Sequence, residues 1–309
     1  MKKPIGLMLL LGALCAADAP DPAALNEKVI SVPGFADFLA VDGSTVWATN
    51  AGRVEQWSAE GKQASVTVPK PCGAMTIAFG ALWVANCKDG NLYRIDPKTS
   101  TVQAIIATGI ANPAGELNVV SGAGSIWVPS DKSGKIARID PATNTVTATV
   151  SVDPGTFYLA FGFDGLWAVS SDQQSLQHVD PQTNAVVKKV KLGKQPGFLA
   201  AGEGAVWVQE QGDGTVARVD PATVTVSGRV QVGKTLIYGD IDVGGGKVWL
   251  RTTEEQTFVA IDPTSLKILA RAGKPSGSGA LRYTPDGIWT TAHDLHSLSW
   301  WSAASKPTH

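Results

Sequence analysis

An aliphatic residue followed by Trp recurs seven times, at Val46-Trp47, Leu82-Trp83, Ile126-Trp127, Leu166-Trp167, Val206-Trp207, Val248-Trp249 and Ile288-Trp289. Successive Trp are 36, 44, 40, 40, 42 and 40 residues apart. A sustained period near forty marks a chain of stacked supersecondary units, none of which buries its apolar face alone. Each unit reads as strands. A short apolar stretch (Met75–Phe79, Phe198–Ala201) leads through a Gly-containing turn to the Trp strand, apolar on both faces. A polar loop, a strand ending in Asp-Pro and an alternating Val/Thr strand such as Thr145–Val150 complete the unit. These signals predict four short antiparallel strands per unit. The expected fold is all-β: a seven-bladed β-propeller of four-stranded blades, with each Trp filling the gap to a neighbouring blade.

Strand exchange should close the ring. The seventh unit has strands near Ala280–Tyr283, Ile288–Thr291 and Leu295–Trp301, and no fourth. The N-terminal stretch Glu27–Val32 resembles the fourth strands elsewhere. It is expected to complete blade seven and leave no open edge. In the terminal blades, Trp57 and Trp300 or Trp301 are read as standing where Asp-Pro stands elsewhere.

The Asp-Pro pairs at Asp96, Asp140, Asp180, Asp220 and Asp262 are either repeated chemistry or repeated architecture. Pro fixes φ in a turn, and an Asp before it can accept from amides two residues on. Thr99, Thr143, Thr183 and Thr223 can cap similarly, and Asn144 and Asn184 suit a left-handed closing position. The five Asp are therefore assigned to hairpins between third and fourth strands. Lys188, Lys189 and Lys191 are read as a solvated outer edge.

Lys plus Arg number 26 and Asp plus Glu 27. That balance gives no electrostatic reason to expect nucleic acid or an anionic membrane as partner. The start, MKKPIGLMLLLGALCAADAP, carries two lysines, a short apolar run and then small residues. This is the pattern of a secretory signal peptide, with an apolar run too short to span a bilayer. The expected division is a signal peptide at 1–17 and one propeller domain at 18–309, secreted or periplasmic, without a transmembrane segment. A lipid anchor on Cys15 is the alternative, which Leu14 before it fits poorly. Cleavage leaves Cys72, ahead of the innermost strand of blade two, and Cys87, at the end of its neighbour. Antiparallel pairing would bring them together, and an oxidising compartment favours a disulfide. A metal or redox pair is the rival, with no His or second Cys pair to support it.

The Gly turns and Asp-Pro hairpins fall on one rim, where they are short and repetitive. The blade-to-blade linkers and the loops after the Trp strands fall on the other and differ from blade to blade. Binding residues tend to sit on such loops above a rigid scaffold. The longest linker, 107–118, brings Glu116 and Asn118 near the channel. Asp37 and Asp240 lie at comparable positions, as do Phe35, Phe157, Tyr158, Phe198 and Tyr238; His293 shares the loop after the last Trp strand with His296. Two readings stand. One is a shallow pocket with an aromatic floor and a few polar groups. The other is a tunnel plugged by aromatics and rimmed by solvated acids. The candidate ligand residues are Asp37, Glu116, Asn118, Phe157, Tyr158, Phe198, Tyr238, Asp240 and His293. His178 takes the Arg position of a repeat and is assigned a structural role. No metal is assigned, because His293 and His296 would need ligands from other blades. No nucleophile elbow or phosphate loop is present.

The unit IARIDPATNTVTATV, beside an aliphatic-Trp strand and repeated near every forty residues, resembles the YVTN-type repeats of bacterial seven-bladed propellers. It is also similar to the streptogramin (virginiamycin B) lyase superfamily, through nearly all of the mature chain. The resemblance implies the propeller fold and, in the lyases, chemistry on two His and two Glu with Mg²⁺. Aligned on the Trp, the two His positions fall at Gly239 and Gly279 and the two Glu positions at Gly277 and His293. A glycine can neither act as general base nor ligate a metal through its side chain. The Trp-docking repeat of quinoprotein dehydrogenases is absent, which argues against pyrroloquinoline quinone. The expected function is an exported, monomeric binding or interaction module for a small molecule or protein, without a cofactor. The alternative is a lyase-type enzyme with an altered site. There Asp37, Glu116 or Asp240 would supply acid–base groups and bind a divalent cation.

Overall fold

The Val- and Thr-rich strands of the repeat form seven four-stranded antiparallel sheets in the computed structural model, which describes residues 21–236 and 239–303. The expected signal peptide at 1–17, Cys15 and Tyr238 lie outside the described residues. Blade 4 is representative: Thr156–Gly162, Gly165–Ser170, Ser175–Asp180 and Ala185–Lys191 pair in chain order. Blades 1, 2 and 3 run over residues 39–67, 76–107 and 120–151, and blades 5 and 6 over 196–231 and 240–272. Blade 7 takes Leu281–Thr284, Gly287–Ala292 and Ser297–Ala303 from the end of the chain and Leu25–Ser31 from its start. The closing pair runs antiparallel from Leu25 opposite Ala303 to Ser31 opposite Ser297. No helix among the described residues is long and apolar enough to cross a membrane.

The seven repeat Trp are at most 1% exposed. Each packs against the following blade: Trp83 with Ile126 and Val128, Trp207 with Val248 and Leu250, and Trp289 across the closure with Val46 and Ala48. Burying a ring system of that size is worth up to about 4–6 kcal/mol on transfer scales, an upper bound because unfolded chains already bury some surface. The indole N–H stays satisfied. In blades 2 to 6, Nε1 donates to the carbonyl five residues earlier, of Ala78, Gly122, Gly162, Gly202 and Gly244, each at 3.0 Å. The Trp thereby fixes the turn that precedes its own strand.

The five Asp-Pro turns are built alike. Asp Oδ1 accepts from the amide two residues on, at 2.8 Å for Lys98, 2.8 Å for Ala142, 2.7 Å for Gln182, 2.9 Å for Ala222 and 3.0 Å for Thr264. The Asp carbonyl accepts from the amide four residues on, of Ser100, Asn144, Asn184, Val224 and Leu266. Those five residues have φ of 56°, 57°, 54°, 57° and 59°. The left-handed position is therefore general to the repeat, although only two copies place Asn there. Amide bonds hold all five exposed carboxylates below their usual range.

Two expectations need correction. Trp57 pairs with Val46 and Trp301 with Ile288, as Ile95 pairs with Leu82; Trp300 faces Trp289 as Arg94 faces Trp83. The terminal-blade Trp thus replace the aliphatic residue and the Arg of the motif. Ser58 and Ser302 hold the Asp position. The lysines of blade 4 are also more than a solvated edge. Lys189 Nζ lies 2.5 Å from Asp153, and Lys188 donates at 2.9 Å to Ala222 O of the next blade.

One pairing lies outside the four-stranded scheme. Gly73–Ala74 and Leu117–Asn118 run parallel, joining the linkers that enter blades 2 and 3. A Cβ at Gly73 would meet Leu117 O at 1.8 Å, so only glycine allows the approach.

Candidate functional site

The polar residue three positions after each repeat Trp often fastens the incoming linker of its own blade. Asn50 Oδ1 accepts from Phe35 N at 2.6 Å, Asn86 Oδ1 from Lys70 N at 3.0 Å and Glu210 Oε1 from Gly193 N at 2.7 Å. Asn50 is buried and its Nδ2 donates to Glu55 at 2.8 Å, which Arg53 and Lys62 also hold at 2.8 and 2.7 Å. Gly34 crosses Asn50 with φ +115°, and a Cβ there would lie 2.3 Å from Asn50 Oδ1. Phe35 is thus placed by a buried polar network although its ring is 49% exposed.

Between these fastened linkers a cleft of about 500 Å³ opens on the variable rim. Its walls come from blades 7, 1, 2 and 3, so it lies to one side of the central channel. Phe35, Asp37 and Phe38 supply one wall, Pro69 to Cys72 a second, Ala114 to Glu116 a third, and Ser278, His293 and Asp294 the fourth. The second wall is pinned by the Cys72–Cys87 disulfide, with Cα atoms 5.8 Å apart. The third turns on Asn112, whose Oδ1 accepts from Ala114 N at 3.1 Å and whose Nδ2 donates to Gly115 O. This turn carries Glu116 at φ 60°, an uncommon backbone for a residue with a long side chain.

Asp37 is the deepest acid of the cleft. Burial pushes its carboxyl up to about 7, with Glu116, Asp240 and Asp294 adding to the rise and Arg251 opposing it. No donor among the described residues bonds its carboxylate. Glu116 stands at the mouth; the surrounding walls raise its carboxyl, while a bond from Tyr158 OH at 3.2 Å opposes the rise. His293 stacks on Phe35 with ring centres 4.0 Å apart, and its Nδ1 lies 3.1 Å from Asp294 Oδ1, outside hydrogen-bond alignment. Burial holds the His293 imidazole below its usual range despite that carboxylate.

Beneath this cleft lies Arg251, 1% exposed and pushed down to about 10 by burial. It donates to Thr291 O at 2.9 Å, to Gly277 O and Ser276 Oγ at 3.0 Å, and to Thr257 O at 3.1 Å. Thr291 Oγ1 in turn donates to Asp37 O at 2.6 Å. One buried guanidinium therefore ties the blade 7 linker to the Asp37 backbone. Sequence reasoning missed Arg251. The signal was an Arg two positions after a repeat Trp, where the other blades carry Thr49, Ala85, Pro129, Val169, Gln209 and Thr291.

The candidate residues divide. Asp37, Glu116 and His293 line the cleft, and Tyr158 touches it through Glu116. Tyr158 also packs on Phe198 at 4.7 Å, and Phe198 on Phe38 at 6.1 Å. Phe157 packs separately, against the cluster between blades 2 and 3. Asn118 lines the central channel, a cavity of about 250 Å³ that also receives Asp242 and Arg282. Asp240 is buried and pairs with Arg282 at 2.5 Å, away from the cleft. Among the described residues, no three His, Cys, Asp or Glu side chains gather as metal ligands do.

Ring and rim cleft together define the class: a seven-bladed β-propeller that resembles the streptogramin lyases in fold. The crystal structure of virginiamycin B lyase from Staphylococcus aureus superposes with a TM-score of 0.77 at 14% identity, over 91% of this chain and 100% of that one. A streptogramin B lyase structure gives the same score and identity over 91% and 97%. A chain of the mitotic checkpoint complex reaches 0.75 at 15% identity over 96% and 99%. Residues 49–164 match a repeat of unknown function, DUF6923. No curated protein matches the chain in sequence. At such identities the likeness is one of fold, and fold does not carry function.

The lyase site has no counterpart built from these residues. A Cβ at Gly239 would lie 2.2 Å from Arg251 O, one at Gly279 2.0 Å from Thr291 O, and one at Gly277 2.5 Å from Asp294 Oδ2. Backbone occupies the space that two histidines would need. The set of two His and two Glu therefore does not fit here, and with it the Mg²⁺ those side chains would hold.

Proposed function

We propose that the protein is an exported small-ligand-binding module that works through the rim cleft. The observation that carries this reading is the convergence of four blades on one cavity with the Asp37 carboxyl, which no donor among the described residues bonds, in its wall. A volume of about 500 Å³ suits a small organic ligand. The Cys72–Cys87 bridge and the signal-like N-terminus support export to an oxidising compartment. The test is a fragment screen read by amide chemical shifts. Fragments should move Phe35, Cys72 and Glu116 and leave the Asp-Pro turns still. A screen whose hits scatter over the surface would sink the reading.

One observation favours a second reading. A carboxyl with a pKa of about 7 is well matched to general-base work near neutral pH. In that case Asp37 would take the proton in a lyase-type reaction with a changed site, with or without a divalent cation. Opening of a streptogramin B ring by the purified protein, lost in Asp37→Asn, would favour this reading over the first.

A further inference from the structure

Among the described residues, no Lys or Arg pairs with the carboxyl groups of Asp37, Glu116 or Asp294. Asp37 is enclosed by protein except toward the cleft, and no donor among the described residues reaches its carboxylate. Glu116 accepts one bond, from Tyr158 OH at 3.2 Å. The nearby cations are engaged elsewhere. Lys70 turns its Nζ to Pro113 O, and Arg251 directs its donors to carbonyls and Ser276 Oγ. Burial holds the His293 imidazole below its usual range. Asp294 adds a third acid at the rim and accepts from Ser278 N at 3.0 Å. Beside these acids stand Phe35, Phe38, Pro69 and Pro71. A half-buried carboxyl that faces a cleft without a protein donor can take one from a ligand, and a cation beside an aromatic ring is favoured.

We propose that the cleft takes a small organic cation with an apolar body, its ammonium head seated at Asp37 and Glu116 and its body laid along Phe35. This rests on the cleft being the ligand site. An anion meets three carboxyl groups there. A neutral polyol could satisfy Asp37 but leaves the Phe35 wall uncovered. Glu116, Asp240, Asp294 and Arg251 set the field at Asp37, with Lys70 and His293 on the cleft walls. Near pH 7 a large share of Asp37 is protonated, so the arriving cation drives that proton to solvent and leaves a carboxylate–ammonium pair.

The test titrates benzylammonium and its neutral counterpart benzyl alcohol into wild type and Asp37→Asn at pH 7, following amide shifts and heats in two buffers of different ionisation enthalpy. Benzylammonium should bind at least about tenfold more tightly than benzyl alcohol and release protons. Asp37→Asn, which keeps the shape of the side chain, should abolish both the preference and the release. Equal affinity of the two probes overturns the cation and leaves the cleft as a ligand site. An Asp37→Asn protein that keeps the preference overturns the seat at Asp37. If neither probe at millimolar concentration moves Phe35 or Glu116, the cation and the cleft reading fall together.

Discussion

Arg138 of blade 3 reaches into blade 4 and donates to Asn184 Oδ1 at 3.0 Å, and to Pro181 O at 2.7 Å, while its guanidinium lies 4.8 Å from the Trp127 ring centre. Arg94 makes the same bonds to Asn144 at 2.9 Å and Pro141 at 2.6 Å. Where the left-handed position is not Asn, the latch changes. His178 stacks on Trp167 at 4.3 Å and leaves the next turn to Lys188, which donates to Ala222 O. The Arg and Asn of the repeat thus act as a pair between blades.

A double-mutant cycle on Arg138→Met and Asn184→Ala should return a coupling of about 1 kcal/mol in chemical denaturation. The same cycle on Arg218→Met and Leu266→Ala should return a coupling near zero. Equal couplings at the two sites would remove the pairing rule.

Glu210 is fully buried and accepts from Arg229 at 2.8 and 3.0 Å and from Thr215 Oγ1 at 2.6 Å. Burial raises its carboxyl, but these bonds outweigh it and the net shift is downward. Arg229→Met strands that charge and should cost about 3 kcal/mol. Lys194→Met, whose side chain is 75% exposed beside Asp213, should cost less than about 1 kcal/mol. Urea midpoints of the two variants measure the contrast.

The Cys72–Cys87 bridge closes a loop across a sequence separation of 15. Chain-entropy arguments put its worth at about 3 kcal/mol. Reductant should lower the melting temperature of wild type and leave that of the Cys72→Ala, Cys87→Ala double variant unchanged. Because Cys72 lines the cleft, the double variant should also shift the amides of Pro69-to-Gly73 neighbours that carry an N–H.

Asp37 gives stability a pH dependence of unusual sign. Its folded pKa of about 7 lies above its ordinary value of 3.8, so the native state holds a proton that the unfolded chain gives up. Stability is therefore unaffected below about pH 4, falls as pH rises from there to about 7 and levels off above it, the whole loss being at most about 4 kcal/mol before solvent screening. Asp37→Asn should match wild type near pH 4 and exceed it in melting temperature at pH 8. A difference curve that stays flat from 4 to 8 would contradict the burial assigned to Asp37.

The ring was legible in the sequence because its signals are local and repeated. Trp spacing set the blade count, Asp-Pro set the third-to-fourth turns, and a missing last strand pointed to closure by Glu27–Val32, a strand the structure places at Leu25–Ser31. The site was legible in part. That Asp37, Glu116 and His293 stand on the variable rim follows from loop variation and residue type. Their grouping to one side of the channel does not, because it depends on how linkers of unequal length lean across neighbouring blades. Asp240 and Asn118 share the offset of the cleft residues yet face the channel and the Arg282 pair. Arg251 and the residues that fasten the linkers act through backbone carbonyls and amides, which leave no mark in residue type.

Closure has a consequence for how the molecule is made. Ser299 donates to Glu27 at 2.8 Å across 272 residues of chain, so the clasp joins a segment made before blade 1 to one made after blade 6. Until the final strand emerges, the leading one has no edge to add to. The nascent chain is thereby kept as an open arc, and long-range pairing of this kind is slow to form. The chain cannot lock into its final shape before its tail is synthesised, and a product cut short reveals itself by an unpaired blade.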